Sequence, residues 1–461
     1  MSKIKSRTQT TAEQCTFSLR NFGPISSARE IQVKPLTIFF GPSNSGKTIF
    51  ASMIYAYLLA QRATCRGVMF PSPEIQQKNS NKLVSPIMEE ITTNLYKGTL
   101  IKLRKCLSVN KLTELIAKPR KRASTVIYVK NEGLDSTFKL RIGRQTQSKQ
   151  TFGQYTPKGF QKIKDVLSPL GVRKAPKLTQ RQRNLARSIT RFSKAGIHFF
   201  PAGRSGLVKG KEAIFVAYVR ASANNTLRAM PGADGITADF FEKLQYLDTP
   251  DELRSDINVL FRALKMKHSP PLEEFGDRFE TELLDGEIEL EPQISSSKTS
   301  NINYKQKGHT IPLNRASSMI TELGILVPFF RNIISIGDAV IIEEPEAHLH
   351  PAAQVTLGNL LSDLTKEGVT VIITTHSPIL IEQISNNVSA SRLKTPMGNV
   401  SPIDQNDVAV YEFSKRQEQS GSIIREILFV PMLGIFDIHQ FSDVFDRQLN
   451  TSNQILDSTN E

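Results

Sequence analysis

Eight residues, Gly41-Pro42-Ser43-Asn44-Ser45-Gly46-Lys47-Thr48, constrain this chain more than any other stretch. Gly, four residues, then Gly-Lys-Thr is a P-loop pattern. The context it needs is present on both sides. Leu36-Thr37-Ile38-Phe39-Phe40 is an apolar run that predicts a buried strand. Ile49, Phe50, Met53, Ile54, Tyr57 and Leu58 recur at helical spacing on one face. Strand, loop and helix in that order let backbone N–H groups close around phosphate oxygens, with the positive end of the helix dipole behind them. Gly41, Asn44, Ser45 and Gly46 are the candidate cradle, Lys47 the candidate ligand of the outer phosphates, and the Thr48 hydroxyl a candidate ligand of Mg²⁺. ATP and Mg²⁺ are therefore the expected cofactors.

A second constellation stands about 300 residues later. Ala339-Val340-Ile341-Ile342 is apolar on both faces, as a central parallel strand must be. It runs into Glu343-Glu344-Pro345-Glu346, an acidic strand end of Walker-B type. The first acid, Glu343, is expected to hold Mg²⁺; the second, Glu344, to orient or deprotonate an attacking water. The usual first acid is Asp, so Glu343 is one methylene longer. The next predicted strand, Val369 to Ile373, leads to Thr374-Thr375-His376-Ser377-Pro378. A His at that strand end suits contact with a γ-phosphate or with the attacking water, which makes His376 the third catalytic candidate.

Strands alternating with helices predict an α/β fold, a mostly parallel sheet with the P-loop near one end of the chain and two buried strands near the other. The expected divisions are 1–62, N-terminal strands and P-loop; 63–195, an inserted hairpin and basic arm; 196–316, a helical lobe with short strands; 317–386, the rest of the ATPase core; and 387–461, a polar tail with one strand near Val408–Tyr411. Residues 14–40 read as two strands, Phe17–Ile25 and Ile31–Leu36, with the polar stretch between them as the turn. Residues 63–82 read as a loop, Leu83–Val109 as a helix, and Thr125–Val129 with Thr137–Ile142 as a hairpin. Residues 145–195 read as an insertion or mobile arm, and Ser317–Arg331 as one helix.

Composition adds two constraints. The three cysteines, Cys15, Cys65 and Cys106, are widely spaced and odd in number, neither a disulfide framework nor a zinc cluster, which fits a reducing compartment. No apolar run approaches a membrane span and the first residues carry no apolar signal core, so a cytoplasmic protein without membrane attachment is expected. The net charge of +15 is unevenly placed: residues 97–194 hold 25 Lys and Arg against four acids. That concentration points to DNA phosphate or an acidic protein partner, or to a solvated face.

Asn21-Phe22-Gly23-Pro24-Ile25, the P-loop, Glu343 to Pro351 and Thr375-His376-Ser377-Pro378 together resemble the ABC-class ATPases of the RecF, SMC and overcoming-lysogenisation-defect type. The resemblance implies that Glu343 is the magnesium-side acid, Glu344 the catalytic glutamate, Pro345 to Pro351 the loop meeting a partner subunit, and His376 the switch histidine. It implies a homodimer or higher homo-oligomer with ATP sandwiched between subunits, touched by a signature helix from the opposite one. The candidate signature is Ala316-Ser317-Ser318-Met319, where Met319 replaces the usual glycine. The Pro201–Arg204 loop stands at the Q-loop position; it has no Gln, and Arg204 is the expected substitute. Relatives of this type can carry a nuclease after the ATPase. The residues after His376 contain no Asp-x-Asp pair, so a separate effector is expected.

Overall fold

The computed structural model describes residues 12–13, 15–67, 69–71, 84–109, 114, 124–132, 134, 136–142, 160–162, 180–210, 235–248, 272–290, 302–393, 395, 398–415, 421–438 and 448–455. The basic cluster at 118–122, most of the arm at 143–179 and the Ser-rich turn at 295–300 lie outside them.

Strands β1 (Cys15–Phe22), β2 (Ile25–Gln32) and β3 (Leu36–Phe40) precede the P-loop, and helix α1 (Lys47–Gly67) follows it. Next come β4 (Met69–Pro71), α2 (Val84–Cys106), β5 (Thr125–Asn131), β6 (Ser136–Ile142), β7 (Phe160–Lys162) and α3 (Gln180–Lys194). Strand β8 (Ile197–Phe200) opens the second half, with α4 (Arg204–Lys209), α5 (Gly235–Asp248) and α6 (Glu273–Phe279) after it. A three-stranded sheet of β9 (Glu287–Leu290), β10 (Ile302–Gln306) and β11 (His309–Pro312) leads to α7 (Ser318–Gly324) and α8 (Leu326–Asn332). The core closes with β12 (Ala339–Glu343), α9 (Pro351–Lys366), β13 (Thr370–Thr375), α10 (Pro378–Ala390), β14 (Val408–Lys415) and β15 (Ser422–Ile427). A short hairpin of β16 (Phe429–Val430) and β17 (Ile435–Phe436) follows.

Ten strands form the main sheet in the order β6-β5-β1-β2-β15-β14-β3-β13-β12-β8. The five from β14 to β8 are all parallel to one another. Strand β15 runs antiparallel to β14 and parallel to β2, and β2, β1, β5 and β6 continue antiparallel. The expected α/β architecture is therefore present, parallel in the half that carries the motifs. Both faces of that half are covered, which is why its strands read as continuous apolar runs. Leu36, Ile38 and Phe40 face one core with Val340, Ile342 and the α9–α10 leucines and isoleucines. Phe39, Ala339 and Ile341 face the other, with Phe50, Ile54 and Tyr57 of α1.

Five expectations are corrected. The first hairpin turns at Gly23-Pro24, not in the polar stretch 26–30: Phe22 pairs with Ile25, and positive φ at Asn21 and Gly23 makes the tight reversal. Residues 63–67, expected in a loop, complete the last turn of α1. Ser317–Arg331 is two helices, because Pro328 has no N–H to offer the Gly324 carbonyl. The C-terminal part supplies two strands to the main sheet rather than one, since β15 was not foreseen. In the basic segment, the end expected to be a mobile arm includes α3, whose Ser193 carbonyl accepts from Arg66 Nε of α1 at 2.9 Å. The hairpin β5–β6 and helix α2 lie where expected. Cys15, Cys65 and Cys106 are buried thiols, none of them in a disulfide. Among the described residues no helix is long and apolar enough to cross a membrane.

Candidate nucleotide site

Parallel strands deliver their C-terminal ends to one edge of the sheet, and four loops meet there. The P-loop leaves β3, Thr374–His376 ends and leaves β13, Glu343-Glu344 ends β12, and Pro201–Arg204 leaves β8. Because β13 lies between β3 and β12, the histidine loop stands between the P-loop and the acid pair. Elements more than 300 residues apart in sequence are thus neighbours.

The P-loop backbone requires its glycines. Gly46 has φ of 101°, and a β-carbon there would lie 2.8 Å from Ile25 Cγ1 and 2.9 Å from Pro24 Cγ. The hairpin turn of β1–β2 therefore packs directly beneath the phosphate loop, a physical reason for Asn21–Ile25 to accompany the motif. Asn44 also takes positive φ, 59°. Ser45 is fully buried with its hydroxyl unpartnered.

Lys47 is held inward. Its Nζ donates to the carbonyls of Gly41 at 2.8 Å and Pro42 at 2.9 Å, and lies 3.1 Å from His376 Nε2. Burial pulls its pKa down to about 8, against the opposing pull of Glu344, Glu346 and Glu343. His376 Nε2 is also 3.1 Å from Glu344 Oε1. Lysine, histidine and glutamate thus form a continuous chain across the sheet edge. Glu344 sits at φ of 42°, and its N–H donates to the Thr374 carbonyl at 2.9 Å.

Glu343 is the buried member of the acid pair. Ala202 N–H donates to its Oε2 at 3.2 Å, and the Thr48 hydroxyl hydrogen-bonds to the same carboxylate. Its Oε1 is buried without a partner. Burial raises its pKa, although Thr48 and Ala202 work the other way. A buried carboxylate with a spare oxygen beside a threonine hydroxyl is a hard-oxygen donor set that a divalent cation satisfies. The residues present therefore fit Mg²⁺, and Thr48 and Glu343 are the ones that would hold it.

Glu346 was not singled out in the sequence, yet it builds the site. Its Oε1 accepts from the Thr375 hydroxyl at 2.6 Å and from the His376 N–H at 2.8 Å, fixing the loop that presents the histidine. The available signal was its place two residues beyond the acid pair.

Arg204 is a correction. Expected to touch nucleotide, it is fully buried, and its hydrogen bonds go to protein carbonyls. Nη1 donates to Pro201 O at 2.9 Å and Glu343 O at 2.8 Å; Nε donates to Glu322 O at 3.1 Å. Nη2 stands 3.2 Å from Glu322 Oε1, within ion-pair distance. Ser317 and Ser318, by contrast, are exposed at the start of α7, where the Ser317 hydroxyl caps the helix by accepting from Ile320 N–H. Among the described residues neither serine hydrogen-bonds to the P-loop of its own chain.

Residues 205–382 match a family model described as "AAA domain, putative AbiEii toxin, Type IV TA system". That stretch includes the Ser317-Ser318 helix, the acid pair and His376, while the P-loop precedes it. A 124-residue stretch is 30% identical to the OLD nuclease of Thermus scotoductus, covering 26% of this chain and 22% of that protein. The chain thus spans about a fifth of the length of the curated relative it matches. Among solved structures, similar ones are an Smc head bound to the C-winged helix domain of ScpA (TM-score 0.43, 14% identity, 91% of this chain and 99% of that one). Others are an Smc head domain with an extended coiled coil, bound to the C-terminal domain of ScpA, derived from Pyrococcus furiosus (0.40, 13%, 97% and 99%), and the SMC head domain from Thermotoga maritima (0.37, 12%, 89% and 98%). Motifs, strand order and the two sequence matches agree: the chain is similar to ABC-class P-loop ATPases of the RecF, SMC and overcoming-lysogenisation-defect type.

Proposed function

We propose that this chain binds ATP with Mg²⁺, hydrolyses it slowly at sites shared between subunits of a homodimer or higher homo-oligomer, and uses the cycle as a switch. The observation that carries the reading is the chain Lys47–His376–Glu344 beside the unpartnered buried oxygen of Glu343. Bound ATP supplies the phosphoanhydride and Mg²⁺ the charge to polarise it. The protein residues do the rest. Lys47 exchanges the carbonyls of Gly41 and Pro42 for phosphate oxygen, and the P-loop N–H groups complete the cradle. Glu343 and Thr48 would hold the metal. Glu344 Oε1 is the atom that takes a proton from water, and His376 fixes its direction.

Exposed Ser317 and Ser318 support a site completed in trans, as a second copy would present them to the opposite nucleotide. As a biological setting we infer phage defence, with a separate effector such as a nuclease; the curated relative is by name a nuclease, which supports the kind of effector. A second reading is a DNA-repair or recombination ATPase that binds DNA directly; the positive charge of residues 97–194 suits DNA phosphate and an acidic effector alike. Salt-sensitive DNA affinity of the isolated protein separates the two.

The test is complementation between subunits. Lys47→Ala should lose nucleotide binding and Ser318→Arg should lose hydrolysis while keeping binding. Mixing the two should restore part of the activity, since one composite site is then intact. Full activity of either variant alone, or hydrolysis independent of protein dilution, rejects the shared-site reading.

A further inference from the structure

Arg204 and Glu322 are each fully buried, side chain against side chain. A buried ion pair is a poor device for stability, because desolvating both charges offsets most of their attraction. What this pair does uncommonly well is join segments. Glu322 belongs to α7, four residues after Ser318. Its Oε1 accepts the Arg204 N–H at 3.0 Å and its Oε2 the Ser205 N–H at 2.6 Å, so it seats the first turn of α4. The Arg204 guanidinium then reaches three ways. It grips the Glu322 main-chain carbonyl, the Pro201 carbonyl at the end of β8, and the Glu343 carbonyl at the end of β12. The last contact is on the peptide that joins Glu343 to Glu344, whose positive φ makes its direction sensitive to that peptide plane. The Ala202 N–H on the Glu343 carboxylate ties the same loop to the metal-side acid.

We propose that Arg204 and Glu322 are positioning residues that transmit the placement of α7 to the acid pair, so that a subunit whose Ser317-Ser318 end is engaged by its partner aligns its own Glu343 and Glu344. This rests on the proposed shared site and specifies how engagement at one site reaches the chemistry of the other. The planar fork matters: Nε reaches the Glu322 carbonyl while Nη1 reaches those of Pro201 and Glu343, whereas the three donors of a lysine share a single nitrogen.

The test uses Glu322→Gln and Arg204→Lys in the full chain, with folding followed by thermal melting. Hydrogen–deuterium exchange is read on two segments, residues 317–324 and 341–347. Without nucleotide, Glu322→Gln should raise exchange in 341–347 several-fold; unchanged exchange there overturns the coupling whatever the protein does with ATP. With a non-hydrolysable ATP analogue, the wild type should show protection in both segments, whereas Glu322→Gln should keep the response of 317–324 and lose that of 341–347. Protection of both segments in the variant overturns the proposal. In steady-state assays both variants should keep KM within about threefold and lower kcat tenfold or more, and Ser318→Ala combined with Glu322→Gln should be no slower than the slower single variant. Additive losses reject transmission. If Lys47→Ala binds ATP normally, the nucleotide reading fails instead, and the nucleotide-free exchange result still decides the clamp.

Discussion

Raising pH from 7 to 9 should weaken nucleotide binding through one lysine. Lys47 sits where burial lowers its pKa to about 8, with carbonyl oxygens at 2.8 and 2.9 Å as its main-chain partners. Phosphate requires the ammonium form. At pH 7 roughly nine-tenths of the free protein carries it, and at pH 9 roughly one-tenth. Once phosphate is bound, its negative charge restores the ordinary lysine range, so the complex stays protonated at both values. The sign follows: above pH 8 binding must take up a proton, and affinity falls as pH rises. Between pH 7 and 9 Kd should increase about tenfold, which corresponds to about 1.4 kcal/mol. Isothermal titration with Mg²⁺-ATP in buffers of different ionisation enthalpy measures both quantities. Proton uptake should approach one per nucleotide at pH 9 and fall to about a tenth at pH 7. Lys47→Ala, which lacks the titrating group, should bind weakly and show no such slope. A wild-type Kd that is flat across this range, or an equal slope in Lys47→Ala, would refute the reasoning.

Glu344→Gln should retain ATP binding and lower hydrolysis by about two to four orders of magnitude, because the amide keeps the shape of the His376 contact but cannot accept a proton; single-turnover assays with labelled ATP measure it. Glu343→Gln should shift the Mg²⁺ dependence of binding to higher metal concentration, read by titrating the metal at fixed nucleotide; an exchange of the two phenotypes would place the acids one residue out of register. Gly46→Ala should lower stability by about 1–3 kcal/mol or displace the β1–β2 turn, since its β-carbon would need the space of Pro24 and Ile25 at a φ of 101°; thermal melting and nucleotide affinity should both drop.

The parts of the site that sequence disclosed were those whose chemistry is local. A P-loop is contiguous, and a four-residue apolar strand ending in two acids needs only adjacency to be read. What escaped depended on depth or on distant pairing. Glu322 lies in Thr321-Glu322-Leu323-Gly324, where an acid on a short helix reads as solvent-facing, yet it is fully buried by an arginine 118 positions earlier. Arg204 was placed on the correct loop but on the wrong side of it, because periodicity gives no direction to a side chain in a turn. Strand β15, Ser422-Ile423-Ile424-Arg425-Glu426-Ile427, has too few apolar residues to stand out, and its place is set by β14 and β2 rather than by its own pattern. The first hairpin was misplaced because Arg29-Glu30 reads as a turn, while Gly23-Pro24 supplies the sharper one.

The strand order also sets a timetable for synthesis. Strands β2 and β3 are consecutive in the chain but do not touch; β15 and β14 lie between them. A β-carbon on Gly41 would strike the Phe413 carbonyl, so the floor of the phosphate loop is laid by a residue translated more than 370 positions later. Until β14 is made, β3 has an open edge, and until β15 follows it the turn at Pro24-Ile25 has no sheet joining it to the strand before the loop. A nascent chain that carries all of Gly41 to Thr48 but not β14 therefore lacks the backbone that underlies Gly41. The last strands of this sheet in chain order are thus part of the footing of the first motif.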